Sequence, residues 1–408
     1  MICPCCTALH IIPVLERSAV PVVLNRPWID ATSARAVPHA PLQIVGCGEC
    51  GHLWNQAFNA DKLIYDEGYE NRQDRSPHFG AYLEERIAAL APRLRAARTL
   101  VEIGCGQGHL SERLSTEFDL DVHGFDPAYR PRPTSGRVHL KPALYGRRTA
   151  IPETDVVLCR HVIEHVDNPV GLLQQVRAAL GRSPKARVVF ECPDATWIVQ
   201  NQVPWDFFFE HAHYFTRTSL RAAFQRAGFE VAHHEAVFGG QYQWIEARIG
   251  PRDARNLEPP MHAEDGLNAL RTAIQAQCTR LREHLHTLAK DGPVVLWGAG
   301  AKGVTLAQLV DPTGQVLAGL VDVNPDKQGQ FASGTGLPIL APTDLAPMRA
   351  AHAVVLNPNY LHEIRTFTRE CAPDLTVHLA ETGRRLQCSP RSPSASPRSS
   401  APPTSNVA

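Results

Sequence analysis

A glycine-rich loop after a short apolar run restricts the possible folds of this chain more than any other segment. The run Leu100–Ile103 leads into a G-x-G-x-G loop, and a helical pattern follows directly. Glycine lets the backbone turn tightly at the end of a strand and approach a ligand closely. A second apolar run ends before Asp126, where a carboxylate can accept hydrogen bonds from ribose hydroxyls. The pattern predicts a parallel sheet that binds a nucleoside-containing ligand beyond its strands.

Strand-like and helical segments alternate along most of the chain. The apolar runs DVHGF, DVVLC and RVVFE are separated by helical stretches such as NPVGLLQQVRAAL and TSLRAAFQRAG. A second strand–turn–helix pattern begins at residue 293, directly after a long amphipathic stretch at residues 267–290. Such alternation is typical of parallel sheets with helices on both faces. We therefore predict an α/β protein with two such units in sequence.

Charge and hydropathy argue against several kinds of partner. Lys plus Arg number 41, as do Asp plus Glu, so the chain lacks the net positive charge typical of nucleic-acid or anionic-membrane binding. No apolar run approaches the ~20 residues that span a bilayer, and MICPCC does not resemble a signal peptide. We expect a cytoplasmic protein without a nucleic-acid or membrane partner. The sequence does not indicate an oligomeric state.

Two C-x-x-C pairs lie in the first fifty residues. Cys3 and Cys6 form one pair, and Cys47 and Cys50 form the other. Four thiolates in two such pairs can surround Zn²⁺ tetrahedrally, and a reducing compartment disfavours disulfides. Because four sulfur ligands leave no open position, we predict a structural zinc ion. Unrelated free thiols are the alternative.

The glycine loop occurs together with two acidic residues at characteristic positions. Glu102 lies within the strand before the loop, and Asp126 follows the next strand. This set, with TDVVLCRHVIEHVDNP and LRAAFQRAGFEV further on, resembles the class I S-adenosylmethionine-dependent methyltransferases. The alternative, a nicotinamide-binding fold, prefers G-x-G-x-x-G, and residue 109 is His. The resemblance implies that S-adenosylmethionine binds at Glu102, Gly104, Gly106, Gly108, Asp126, Cys159 and Arg160.

The order of the segments resembles a narrower family. The cysteine pairs, the glycine-loop core and the later GAGAKG unit together resemble sugar C-methyltransferases that act on nucleotide-linked 4-keto-deoxysugars. The resemblance covers nearly the whole chain apart from its last residues. It implies three α/β parts: a zinc-binding module at 1–72, a doubly wound, Rossmann-like methyltransferase core at 73–235, and a C-terminal Rossmann-like, substrate-framing domain at 236–387. Residues 388–408 contain 12 Ser or Pro among 21 residues, and we predict a disordered tail there.

The segment WDFFFEHAHYF, residues 205–215, carries the main catalytic prediction. In the sugar C-methyltransferases the same loop contains Tyr-His-Glu-His followed by Tyr-Phe, and the histidine after Glu is the proposed general base. The resemblance implies that His211 is the base and that His165 and Glu210 orient it. The family's tyrosine and first histidine are Phe208 and Phe209 here. We expect this difference to mark a different acceptor.

The residues themselves leave several interpretations of these histidines open. His161 and His165 have the spacing of two metal ligands on one helical turn, but Glu164 is in the wrong register for the zincin motif. Glu164 is then a capping or orienting acid, and a purely structural histidine is the alternative. Neighbouring aromatic rings would favour the neutral imidazole of a base, whereas Glu210 or Glu164 would favour the imidazolium. The sequence does not decide between these effects.

Two further regions are predicted to contact the acceptor. Tyr65 and Tyr69 lie where the family places aromatic residues that close over the cofactor and acceptor. Lys302, in the GAGAKG loop, is suited to bind a diphosphate. This loop also has the spacing of a dinucleotide-binding fingerprint, with Asp322 after the next strand. The alternatives to C-methylation are therefore O- or N-methylation on the same fold, an NAD-dependent oxidoreductase, and a non-enzymatic binding module, which the intact Gly104–Gly108 loop argues against.

Overall fold

The computed structural model describes residues 1–63, 68–70, 72, 75–151, 153–250 and 263–380. Tyr65 and the predicted tail at 388–408 lie outside the described residues. The helices are α1 (Ala31–Arg35), α2 (Pro77–Leu94), α3 (His109–Phe118), α4 (Pro169–Ala179), α5 (Ala195–Asn201), α6 (Arg217–Arg226), α7 (Glu264–Leu288), α8 (Ala301–Val310) and α9 (Leu361–Cys371). The strands are β1 (Ile11–Pro21), β2 (His39–Cys47), β3 (Leu53–Asn55), β4 (Thr99–Ile103), β5 (Asp121–Phe125), β6 (Val138–Lys141), β7 (Val156–Arg160), β8 (Arg187–Pro193), β9 (His213–Tyr214), β10 (Phe229–Val237), β11 (Tyr242–Ile249), β12 (Val294–Trp297), β13 (Leu317–Val321), β14 (Ile339–Leu340), β15 (His352–Val355) and β16 (Thr376–Leu379).

The N-terminal residues 1–63, here called the cysteine module, form an antiparallel sheet that includes a strand from the middle of the chain. The strand order is β1-β2-β3-β9. Strand β9 belongs to residues 205–215, here called the histidine loop, and its pairing places Leu53 opposite Tyr214 and Trp54 opposite His213. The cysteine module therefore holds one end of the histidine loop directly.

The central sheet has seven strands in the order β10-β11-β8-β7-β4-β5-β6. Strands β4 to β8 run parallel, as the alternating pattern predicts, and the hairpin β10–β11 closes one edge in antiparallel orientation. Helix α2 covers the sheet; it begins at Pro77 because Ser76 accepts a hydrogen bond from the Phe79 amide as its cap. The predicted boundary at 235/236 lies inside β10, and β11 belongs to the same sheet.

The C-terminal domain contains a five-stranded parallel sheet in the order β14-β13-β12-β15-β16. The predicted amphipathic helix is confirmed as α7, which packs against β1 and α8 through its buried leucines. One hydrophobic core joins residues of the cysteine module, the histidine loop and this domain; it includes Leu42, Trp205, Leu270 and Leu320. The predicted α/β class, with two Rossmann-like sheets, is confirmed.

The carboxyl ends of the parallel strands converge on one region between the two α/β units. Gly104 follows β4, His161 follows β7, Asp194 follows β8 and Gly298 follows β12. In open parallel sheets, ligands bind beyond these strand ends. Among the helices of the described segments, none combines the length and apolar character needed to cross a membrane.

Candidate active site

The first glycine loop has a backbone that only glycine adopts easily. Gly104, Gly106 and Gly108 have φ of 76°, 53° and 85°. A Cβ at Gly104 would lie 2.1 Å from Val162 Cγ2, and one at Gly108 would lie 2.2 Å from Leu140 Cδ1. At Gly106, by contrast, a Cβ would meet no atom within 4 Å, so the loop leaves open space on that side. This open face, followed directly by α3, has the form of a nucleoside-binding loop.

Glu102 and Asp126, the two acids predicted to contact the cofactor, each form a hydrogen bond to the loop or to the helix that follows it. The Glu102 carboxyl is 5% exposed and accepts a hydrogen bond from the Ser111 hydroxyl. Burial raises the pKa of Glu102 to about 7. Asp126 accepts hydrogen bonds from the amides of Gly106 and Ala128, at 2.9 and 2.8 Å. A carboxylate has about four lone-pair sites, so Asp126 retains capacity to accept from a ribose.

The other two residues of that prediction, Cys159 and Arg160, end strand β7 and do not form a turn. The Cys159 side chain is fully buried in the core, so only its backbone can face a cofactor. Arg160 binds Glu191 through Nε and Nη2 at 3.0 and 3.2 Å. The turn starts one residue later at His161, whose φ is 53°, and Ile163–His165 then forms a single 3-10 turn. His161 and His165 therefore do not share one helical turn.

A pocket of about 260 Å³ lies between the central sheet and the C-terminal domain. We call it the acceptor pocket. One end, the histidine end, is lined by His161, Glu164, His165 and His211. The opposite wall is the GAGAKG loop. Val162, which touches the first glycine loop at Gly104, connects the cofactor loop to the histidine end.

His165 and His211 form a neighbouring pair of half-buried imidazoles. Their ring centroids are 4.7 Å apart with the rings nearly perpendicular. The Nδ1 of His165 lies 2.8 Å from the backbone oxygen of Glu210, which can only accept, so Nδ1 carries the proton and Nε2 is directed elsewhere. Burial lowers the pKa of both histidines, and for His211 it does so strongly. Both rings are therefore neutral near pH 7, the form a general base requires.

Of the four phenylalanines in the histidine loop, one lines the pocket. Phe208 lines it and lies 4.2 Å from the His211 ring, centroid to centroid. Phe207 and Phe209 are fully buried in hydrophobic cores, and Phe209 stacks near Phe58. The Tyr214 hydroxyl bonds both the amide and the carbonyl of Phe208 at 3.0 Å, which fixes the loop. The aromatic character of the segment is thus mainly structural.

Glu210 contacts the histidine pair through its backbone carbonyl. Burial raises the pKa of its carboxyl to about 8, although the Leu24 amide, Lys327 and Tyr69 act to lower it. Tyr69 also accepts a hydrogen bond from the Asn25 side chain at 3.4 Å. The atom of Glu210 that contacts His165 is thus the backbone oxygen and not the carboxylate that the sequence suggested. Tyr69 lies next to the Glu210 carboxyl.

The GAGAKG wall of the pocket carries the partly exposed Lys302, and the buried Lys327 lies next to it. Lys302 Nζ lies 2.6 Å from Asp206 Oδ1, and Lys327 Nζ donates to the Ala299 oxygen at 3.3 Å. A Cβ at Gly303 would lie 1.8 Å from the Gly298 oxygen, so this loop also depends on glycine. Asp322 is the acid that would bind a ribose if this loop held a dinucleotide. Its carboxylate accepts hydrogen bonds from the backbone amides of Ala299 and Asn324, at 2.9 Å each.

Two acids near the histidine pair, Glu191 and Asp206, were not predicted, and neither was the contact of His161 with Glu191. His161 Nε2 lies 2.8 Å from Glu191 Oε1, and the fully buried Glu191 also binds Arg160. Asp206 is 4% exposed and pairs with Lys302. The sequence signal for these contacts was that acids occur within apolar strands and turns. Such acids are expected to be buried, and a buried acid requires a partner.

The four predicted zinc ligands come together in the cysteine module. The sulfur atoms of Cys3 and Cys50 are 3.6 Å apart, as are those of Cys6 and Cys47. All four sulfurs lie within 4.8 Å of one another. A disulfide would require about 2.05 Å, whereas a tetrahedral site with Zn–S of about 2.3 Å has sulfur–sulfur edges of about 3.8 Å. The geometry thus fits a tetrahedral metal ion. A second group with metal-ligand spacing, Glu164, His165 and His211, lies at the histidine end.

Two family models match the chain on the two sides of the acceptor pocket. A methyltransferase domain matches residues 72–234, and a C-methyltransferase C-terminal domain matches residues 253–374. The first segment contains the cofactor loop and the histidine loop. The second contains the GAGAKG loop.

Comparison with solved structures found methyltransferases of low sequence identity. An S-adenosylmethionine-dependent methyltransferase from Mesorhizobium loti is 17% identical over 42% of this chain and 99% of its own, with a TM-score of 0.34. Human N-acetylserotonin methyltransferase, solved with S-adenosylmethionine, is 16% identical over 42% and 55%, with a TM-score of 0.32. None of the curated proteins matches the chain. The two family matches support an S-adenosylmethionine-dependent methyltransferase with a C-methyltransferase C-terminal domain.

Proposed function

We propose that this enzyme transfers a methyl group to a carbon beside a ketone in a small acceptor, with His211 as the general base. The acceptor class is a nucleotide-linked keto-deoxysugar or a close analogue. The observation that carries the proposal is the pair of half-buried neutral imidazoles, His165 and His211, in a pocket next to the cofactor loop. Methylation of carbon requires a base, because a C–H proton must be removed before the carbon becomes nucleophilic.

The residues of the first glycine loop are suited to hold the methyl donor. The open face at Gly106 leaves room for a ligand, and Asp126 lies directly behind it. When bound, S-adenosylmethionine supplies the methyl group, whose bond to sulfur breaks while sulfur keeps the electron pair. The protein mainly positions donor and acceptor and excludes water, because positive charge is lost during the transfer.

The proton moves within the histidine end of the pocket. His211 accepts the proton from the acceptor carbon, and the electron pair of that C–H bond forms the new bond to the methyl group. His165 keeps its proton on Nδ1, which donates a hydrogen bond to the Glu210 backbone oxygen, and its Nε2 is the atom that orients the acceptor or shares the transferred proton. Phe208 against the His211 ring keeps water away and favours the neutral base.

The cations of the opposite wall support a phosphorylated acceptor. Lys302 and Lys327 lie at the GAGAKG loop, where α8 begins, and Arg72 and Arg75 also line the pocket. A diphosphate bridging these cations would place the attached sugar between them and the histidines. Helix N-termini and lysine are common phosphate partners. We propose that Tyr69, next to the Glu210 carboxyl, helps to position the acceptor and takes no part in the reaction itself.

Methylation of oxygen or nitrogen is the second candidate, and one observation favours it. Phe208 lies where the sugar C-methyltransferases have a tyrosine, so the pocket lacks a phenol that could hold an enolate or sugar hydroxyl. An NAD-dependent reaction at the GAGAKG loop is the third candidate. Asp322 accepts two backbone amides, as Asp126 does, so it retains the same capacity to accept from a ribose, and NADH binding is the measurement that tests this candidate.

We also propose that the four-cysteine cluster binds structural zinc and that the enzyme is cytoplasmic. Four free thiols at 3.6 Å spacing need a metal ion and a reducing environment to persist. The metal holds the N-terminal segment and β2 together and takes no part in methyl transfer.

A binding measurement followed by a product screen tests the proposed function. Calorimetry with S-adenosylmethionine and with NADH separates the first and third candidates: binding of NADH alone would overturn the methyltransferase assignment of this loop. A panel of nucleotide keto-sugars with isotopically labelled S-adenosylmethionine then identifies the acceptor. We expect label transfer to nucleotide-linked substrates and little transfer to the free sugars.

A further inference from the structure

The carboxylate of Glu164 is buried at the histidine end yet has few partners. Its residue is 1% exposed, and neither carboxylate oxygen takes part in a hydrogen bond within the described residues. Its oxygen lies within 4.8 Å of the ligand nitrogens of His165 and His211. A buried carboxylate without hydrogen bonds is unfavourable unless a charge compensates it, so its position requires an explanation.

One charge lies next to it. His161 Nδ1 is 3.5 Å from Glu164 Oε1, and its Nε2 is 2.8 Å from Glu191 Oε1. An imidazole serves two carboxylates with two N–H groups only when it is protonated. Although burial lowers the pKa of His161, the carboxylates of Glu164 and Glu191 raise it to about 9.

The backbone and the surrounding charges hold this histidine firmly. His161 adopts a φ of 53°, in the left-handed region that a non-glycine residue seldom occupies. Its backbone amide donates a hydrogen bond to the backbone oxygen of Glu191 at 2.8 Å. Arg160 binds Glu191 through two nitrogens, and Tyr242 packs edge-on against the His161 ring at 4.7 Å. Strain of this kind concentrates at functional sites.

We propose that Glu164 is a positioning residue that supplies the counter-charge for the His165–His211 pair, and that His161 holds Glu164 in place. The inference rests on the proposed base role of His211. Burial, His165, His161 and Lys302 all act to lower the pKa of His211. When His211 takes the acceptor proton it becomes an imidazolium, and the fixed Glu164 carboxylate, within 4.8 Å, opposes these effects by stabilising that charge. The imidazolium later releases its proton to water. Glu210 is unsuited to this role, because its carboxyl lies near Leu24, Tyr69 and Lys327.

The variant Glu164→Gln tests the counter-charge with little change in shape. We expect kcat to fall by about 10²-fold, the lower range for acid–base groups, while the KM of the acceptor and the affinity for S-adenosylmethionine stay unchanged. The acidic limb of the kcat–pH profile should move to lower pH, because loss of the anion makes the imidazolium less stable. A merely structural residue would not move this limb. Glu246→Gln is the matched control: Glu246 is 6% exposed, pairs with Arg93 and does not line the pocket.

The variant His161→Gln tests whether His161 holds Glu164 in place. It also provides an independent test if Glu164→Gln does not fold. We expect a similar loss in kcat, and the double variant His161→Gln/Glu164→Gln should lose little more than either single variant, as residues acting as one unit do. Circular dichroism and cofactor affinity report folding. Full turnover by Glu164→Gln, an unmoved acidic limb, or additive losses would overturn the inference.

Failure of this inference can be separated from failure of the proposed function. If His211→Ala keeps full turnover, the base assignment itself is wrong. If His211→Ala loses turnover while Glu164→Gln keeps it, only the role of Glu164 fails. Metal analysis gives a further decisive outcome: a second bound ion per chain that Glu164→Gln removes would show that Glu164, His165 and His211 bind metal, and would overturn the counter-charge role.

Discussion

The ring Nε2 of His52, in the cysteine module, lies 3.0 Å from the ring Nδ1 of His213 in the histidine loop. His213 Nε2 in turn lies 3.1 Å from the Asp167 oxygen, just beyond the turn that carries His165. Together with the pairing of β3 and β9, this chain of contacts connects the four cysteines to the segments that carry His165 and His211. The cysteine module therefore helps to build the acceptor pocket.

Removal of the proposed zinc ion should lower the rate of methyl transfer more than it lowers the affinity for the cofactor. Without the ion, β2 and β3 lose their anchor and β9 shifts, whereas the Gly104 loop is held by the central sheet. A displacement of about 1 Å at the base can lower the rate by about 10²-fold. The measurement is activity and cofactor affinity before and after chelation under reducing conditions, and in Cys47→Ser. Cys371→Ser, a cysteine on α9 outside the cluster, is the control and should behave like wild type. Unchanged activity in the metal-free protein would disprove the connection.

Alanine substitutions in the first glycine loop should have two distinct effects. Gly104→Ala places a Cβ 2.1 Å from Val162, so we expect a stability loss of about 1–3 kcal/mol. Gly106→Ala meets no atom, so it should cost less stability but reduce cofactor affinity by filling the open face. Gly80→Ala, in α2 with no atom within 4 Å, should be neutral or stabilising. Thermal melts and calorimetry measure both quantities. Equal cofactor affinity in Gly106→Ala and wild type would place the cofactor elsewhere.

The pair of Lys302 and Asp206 allows affinity and stability to be separated. Lys302→Ala removes a phosphate partner and leaves the buried Asp206 unpaired, so we expect a KM for the nucleotide-linked acceptor about 10–100-fold higher and a lower melting temperature. Lys302→Ala/Asp206→Asn should recover melting temperature without recovering the KM. If the double variant also regains the KM, Lys302 acts through folding and does not bind the acceptor.

Stability should fall as the pH drops from about 6.5 to about 4. Burial lowers the pKa of His213 and of His234 to about 4, while an unfolded histidine titrates near 6.5. Below pH 6.5 the unfolded chain therefore binds more protons, and each such histidine costs about 2 kcal/mol of stability by pH 5. His234 lies outside the acceptor pocket and accepts substitution by Gln, which can also bond Gln243. Denaturant unfolding at pH 7.5 and pH 5 should show a smaller loss in His234→Gln than in wild type. Identical losses would show that His234 does not titrate as described.

Local sequence patterns predicted the parts of this protein that depend on local chemistry. The loop at Gly104–Gly108 requires left-handed backbone, and only glycine supplies it cheaply, so its pattern is visible in the sequence. The capped start of α2 at Ser76 and the period of α7 are visible for the same reason. The two cysteine pairs could be grouped because zinc ligands follow a fixed spacing.

Long-range contacts could not be predicted in this way. Nothing near Trp54 indicates that it pairs with His213, since strand pairing depends on the whole fold. The sequence also suggested a carboxylate contact from Glu210, whereas the fold presents its backbone carbonyl to His165. His161 was missed as a charged residue, because its two carboxylate partners, Glu164 and Glu191, converge on it only in the folded chain.

The position of the methyl group in the product tests the central claim most directly. With ¹³C-methyl-labelled S-adenosylmethionine and an accepted keto-sugar, NMR identifies the atom that carries the label. The account predicts a methyl group on the carbon beside the ketone in wild type, and no labelled product from His211→Gln although this variant binds the cofactor normally. A label on oxygen or nitrogen, or full turnover by His211→Gln, would contradict it.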